Sequence, residues 1–231
     1  MKTKLIIVLV TIFFFGALES LPAQDPGPQF KKVSEGIYVY AAVLNEANST
    51  IVLTQDGVVE KQMATSPEMR AAFKDFRLIT PHIYHDRMTL NVDERTMELY
   101  YFENVYSEAD SAIWLPKERV LFTAASVGVK RFGNHRPFVS IPDTLSAIKM
   151  MKALNPQVVI PGHGNPGTAK ILDDMENYYS KLMEGVRQMV KEGKSLDQIK
   201  KELKIPGTED WEGQDRLGNN IEAAHRAVIA R

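Results

Sequence analysis

Hydrophobic periodicity changes once along this chain, near Pro142, and that change limits the folds open to it. Upstream the pattern is period two. "GIYVYAAVLNEANSTIVLTQDGVV" (36–59) alternates and is rich in Val, Ile, Tyr and Thr. It predicts two or three antiparallel strands with turns near Asn45-Glu46 and Asp56-Gly57. "DRMTLNVDERTMELYYF" predicts a hairpin turning at Asp93-Glu94, and "SAIWLPKERVLFTAA" another turning at Pro116-Lys117. Between the opening strands and the first hairpin, "SPEMRAAFKDF" predicts a helix capped by Ser66, with Pro67 in the first helical position. Downstream, "DTLSAIKMMKAL" is amphipathic and helical, and "QVVI" is a short buried strand. A long helix begins at Thr168, its Ile171, Met175, Tyr178, Leu182, Val186 and Met189 falling on one face, and it stops at Gly193. Ser195 and Gln198 have capping-box spacing, and "NNIEAAHRAVIA" supplies a last helix. Antiparallel strands followed by helices give a layered α/β or α+β fold.

The chain has 231 residues and a formal net charge of −1, with 44% hydrophobic and 25% charged residues. That supports one full core with an appendage and argues against a nucleic-acid partner. No cysteine is present, so disulfides and thiolate ligands are excluded. Met1-Lys2-Thr3-Lys4 is basic, "LIIVLVTIFFFGAL" (5–18) is unbroken apolar, and "ESLPAQ" offers small residues for cleavage after Ala23. The apolar run is shorter than the ~20 residues of a spanning helix. Residues 1–23 therefore read as a secretory signal peptide, with the mature chain periplasmic or secreted and free of the membrane after cleavage. Residues 24–32, around "DPGPQ", read as a linker.

"VVIPGHGNPGT" (158–168) is an apolar strand entering a Gly-rich loop with His163 at its tip. Together with "VSEGIYVY", "NSTIVLTQDGVV", "DRMTL", "YSEAD" and "WLPKERVLFTAASV", in that order, it resembles the metallo-β-lactamase superfamily. "GKSLDQIKKELKIP", the following Trp211 and the terminal helix resemble a tail found in exported members. The resemblance runs from about residue 33 to the end. It implies an αββα sandwich, incomplete in its first half, over residues 33–167, with C-terminal helices (168–231) packed on it. It also implies a metal-dependent hydrolase in which a metal-bound hydroxide attacks the substrate.

The ligands that the family needs are mostly missing. Its His-x-His-x-Asp-His run is absent: after Val59 the chain passes to "EKQMATSPEMRAAF", as if the connecting region were deleted. Where the family has a second-half His, the sequence has Tyr106; where it has a bridging Asp, Ala125. Asp110 matches a residue that is mostly structural, and the resemblance implies that it orients the loop. Of the family ligands only His163 remains, and one imidazole does not make a hydrolytic metal site. His82, His85 and His135 are the candidate substitutes. In an extended chain His82 and His85 point to opposite faces, and a surface His cluster is the expected reading.

Trp211 reads as a packing anchor of the tail, the Met150-Met151 pair as core filling, and His225 as solvent-facing. Neither a serine-nucleophile motif nor a phosphate-binding loop is present. The expected function is a catalytically degenerate family member, a pseudoenzyme or binding module without a cofactor. One alternative is a residual single-zinc hydrolase of ester, lactone or amide bonds using His163 with other histidines. The other is a decayed, truncated product. Apolar surface left by the deletion would suit a protein partner or a homodimer.

Overall fold

The computed structural model describes residues 30–40, 48–54, 57–60, 86–92, 94–107 and 110–230. Residues 1–23, expected as a signal peptide, the expected turn at Asn45-Glu46 and helix at Ser66, and His82 and His85 lie outside these residues.

Among the described residues, nine strands form two sheets. Sheet A joins β1 (Phe30–Ser34), β2 (Ile37–Tyr40), β3 (Ser49–Thr54) and β4 (Gly57–Glu60) in sequence order, each antiparallel to the next. β1 takes in Phe30, Lys31 and Lys32, which the sequence reading had assigned to the linker. The proline- and glycine-rich "DPGPQ" ends at Gln29, and the residues after it pair with β2, Lys31 opposite Val39. Sheet B orders β5 (Arg87–Val92), β6 (Arg95–Phe102), β7 (Asp110–Leu115), β8 (Val120–Phe122) and β9 (Val158–Ile160). Both expected hairpins are present: Val92 faces Arg95, and Leu115 faces Val120. Among the described strands only β8 and β9 pair in parallel, an arrangement that the helix crossing over between them makes possible.

Helix α1 (Ile141–Ala153) makes that crossover. The Ser140 hydroxyl accepts from the Asp143 amide at 3.3 Å, and Pro142 sits inside the first turn, where its missing N–H costs nothing. Helix α2 (Lys170–Lys191) ends in a Schellman turn. Gly193, at φ 76°, donates to Val190 O, and the Lys194 amide donates to Met189 O. Helix α3 (Leu196–Glu202) carries the expected capping box at Ser195 and Gln198. Helix α4 (Leu217–Ile229) closes the described chain.

Strand alternation sends neighbouring side chains to opposite faces of sheet B. Ala112, Trp114, Leu121 and Val159 join the helices in one continuous core. Leu115, Val120, Phe122 and Ile160 face sheet A and meet Ile37, Val39 and Val52. The buried face of α2 is wider than the spacing indicated: Leu172, Tyr179 and Met183 join Met175, Tyr178, Leu182, Val186 and Met189. Trp211 is buried against Phe132 and Tyr178, with ring centroids 5.4 and 4.9 Å away, so it does anchor the tail. Met151 is fully buried, and Met150 packs on the same core. His225 is half-buried rather than solvent-facing, because α4 lies on the core along its length. Arg95 ties the two sheets together. One guanidinium nitrogen meets Glu118 at 2.6 Å and another donates to the Glu35 carbonyl at 2.6 Å.

Candidate functional site

At one edge of the sandwich, the ends of β8 and β9 deliver two loops side by side. The first is the tight 3-10 turn Ala124–Ser126, with Ala124 at φ 59°. The second is the "PGHG" loop. Backbone hydrogen bonds staple them: Gly162 N–H to Val127 O and Val129 N–H to His163 O, both 3.0 Å. A Cβ on Gly162 would lie 2.5 Å from the Ala125 Cα, so only glycine lets the loops approach this closely. Sheet A contributes Asn48. Its amide donates to Pro161 O at 2.9 Å and Gly164 O at 2.6 Å, and its own N–H donates to Gly162 O at 2.7 Å.

Tyr106 reaches the same place from the turn before β7. Asp110 holds that turn: its carboxylate accepts from the Tyr106 and Ser107 amides at 2.6 and 2.8 Å, and from the Ser107 hydroxyl at 2.9 Å. Asp110 therefore orients the loop and does not line the pocket. Tyr106, Ala125 and His163 do line one pocket, together with His135, so the three positions still converge.

His135 was expected in a surface cluster. It is 7% exposed, and its ring lies parallel to Tyr179 at 5.6 Å and 12°. Gly133 permits this, since a Cβ there would stand 2.8 Å from the imidazole. Neither ring nitrogen has a hydrogen-bond partner among the described residues. Burial, with Arg226 adding its positive charge, lowers the His135 pKa to about 4, so the ring is neutral at pH 7. Burial likewise pushes the Tyr179 phenol well above its usual value.

Two arginines complete the lining, and sequence reasoning missed both. Arg131 is buried, with a guanidinium nitrogen 3.2 Å from Glu212, and Arg216 comes from the turn before α4. The tail segment at Glu212 bridges to Arg131, which brings residues 81 apart in sequence into one wall. Asn220, fully buried on α4, braces that wall. It accepts from the Tyr178 hydroxyl at 2.8 Å and donates to Gly133 O and Arg216 O at 2.8 Å each.

The lining contains two imidazoles, two guanidiniums and two phenols, with no carboxylate. Among the described residues, no group of three or more His, Asp or Glu is placed to hold a metal ion. Such a donor set does not fit a resident divalent cation, which needs three or more converging ligands without competing positive charge. The space beside the lining, about 20 Å³, fits one water molecule or one oxygen of a larger guest.

Comparison with known proteins places the fold. No family model matches the chain. The type 2 metallo-β-lactamase of Bacteroides fragilis is 23% identical over 111 residues, 46% of this chain and 44% of that protein. A stereoselective inverting sec-alkylsulfatase from a Pseudomonas species superposes with a TM-score of 0.67 at 15% identity, over 87% of this chain and 50% of that one. A metallo-β-lactamase from Pontibacter korlensis superposes with a TM-score of 0.54 at 15% identity, over 66% of this chain and 98% of that one. The chain thus spans about half the length of the sulfatase and less than half of the Bacteroides enzyme. Its fold is that of the metallo-β-lactamase superfamily, as the motif order implied.

Proposed function

We propose that this chain is an exported, catalytically degenerate protein of metallo-β-lactamase fold that works as a binding module. The charge of the pocket carries the reading. Where the family places metal ligands there are a phenol, a methyl group and one imidazole, flanked by Arg131 and Arg216 with no carboxylate among the lining residues. Two guanidiniums in the lining, that of Arg131 paired with Glu212, disfavour a divalent cation and favour the oxygen end of a neutral or anionic guest. Neutral His135 offers both a donor and an acceptor to such an oxygen. What that guest is belongs to the whole protein's biology and does not transfer from relatives named for β-lactams or alkyl sulfates.

Metal analysis of the purified mature chain tests this. The expected result is far less than one zinc per chain in the native sequence. Tyr106→His with Ala125→Asp should then gain zinc, because it returns two donors beside His163. About one zinc per native chain, lost in His163→Ala together with ester or lactone hydrolysis, would overturn the proposal. That outcome would favour the single-zinc hydrolase, for which the shared pocket of His163 and His135 is the supporting observation. A decayed product would instead give no cooperative melt. Export is read from the N-terminal segment and is tested by periplasmic fractionation, with the mass of the mature chain beginning after Ala23. A partner or second copy over the deletion surface is tested by light scattering.

A further inference from the structure

A second cavity lies behind the first, across the segment from Gly128 to Arg131. It opens between α2 and the tail loop that precedes α4, and its volume is about 260 Å³. That is just under the range of about 300–1,000 Å³ typical of small-molecule pockets. Its floor is apolar, formed by Ile171, Met175 and Tyr178 of α2 and by Ile205 and Trp211 of the tail.

The charge at its mouth is unequal. Lys130 pairs with Asp210 at 2.5 Å, and Asp174 pairs with Lys170 at 2.5 Å. Lys181 has no such direct partner, although its charge helps to hold the Glu209 carboxyl below its usual range. It donates to the Pro206 carbonyl at 3.4 Å and, among the described residues, makes no ion pair. Glu209, on the loop facing it, engages the Gly207 amide with both oxygens, at 3.0 and 3.1 Å. The Asn177 side chain lines the same mouth. An ammonium whose direct partner is only a carbonyl, above an apolar and aromatic floor, calls for a guest with one negative head and a short apolar body.

We infer that this cavity binds a small amphiphilic monoanion of the carboxylate class, its head on Lys181 and its body against Ile171, Pro206 and Trp211. The site is separate from the pocket at His163, and its test does not depend on the function proposed for that pocket.

Titration calorimetry of the mature chain with octanoate, and with octanol and octylamine as controls, tests the inference. Octanoate should bind saturably. Lys181→Met should weaken octanoate by about tenfold, the loss expected for one exposed charge-assisted hydrogen bond, and leave octanol unchanged. Lys181→Glu, a substitution at a half-exposed position, should abolish octanoate binding and admit octylamine. His135→Phe, in the other pocket, should leave octanoate affinity as it was. Absence of saturable octanoate binding by the native chain, or undiminished binding by Lys181→Met, would overturn the inference.

Discussion

The two faces of sheet B are closed in different ways. On the helix face, the four described helices and the tail share one core that runs without a break from Val105 to Ala224. On the sheet face, the described core is built by single residues of short strands, Ile37, Val39 and Val52 against Leu115, Val120, Phe122 and Ile160. Polar clasps at Arg95 and Asn48 add to it. The pocket lies where the two faces meet. Most of its wall, from Ser126 to His135 and at Met175, Tyr179 and Arg216, comes from the helix side; sheet A holds the "PGHG" loop through Asn48. Stability and site geometry should therefore depend chiefly on the helix face, with sheet A adding local support.

The comparison can be broken at three points. Leu182→Ala opens a cavity in the middle of the helix core and should cost about 4 kcal/mol of global stability, read from denaturant melts with an unchanged slope. A partial transition that spares sheet A would mean that the two faces fold independently. The second point is His135. Its pKa lies below that of an unfolded histidine, so between about pH 6.5 and 4 the unfolded chain binds the additional proton. Stability is intact above pH 6.5 and falls by up to about 3 kcal/mol as the pH drops through the folded value near 4. His135→Phe keeps the stack on Tyr179 and should remove that share of the acid sensitivity; parallel pH–melt curves for the two proteins would sink the assignment. The smallest effect is expected from Ile37→Val between the sheets, about 1 kcal/mol. Faster amide exchange confined to β1–β3 would confirm that the sheet face opens locally.

Much of this fold could be read from the residues because its elements obey their own periods. The hairpins at Asp93-Glu94 and Pro116-Lys117 are period-two runs around turn residues. The α2 face repeats at three and four, and Ser195 and Gln198 form a purely local cap. What stayed hidden is non-local. "FGNHRPF" gives His135 the look of a loop histidine, and only Tyr179 and Gly133 bury it. Asn220 is one polar residue in an amphipathic helix, and its three hydrogen bonds reach α2, the Gly133 loop and its own preceding turn. Arg131 and Arg216 share a wall because Trp211 docks the tail. The site positions were legible through motif order, but the charge of the pocket was not, since it depends on a tail that arrives from the far end of the chain.

The contact of Gly162 with the Ala124-Ala125 turn has a wider consequence. The loop that carries His163 is held by interlocked main chain and by the absence of a side chain at position 162. A scaffold arranged in this way can lose its coordinating groups one at a time while the loop keeps its course. By the same logic the path back is short: new donors need only be placed on a backbone that already holds their sites together.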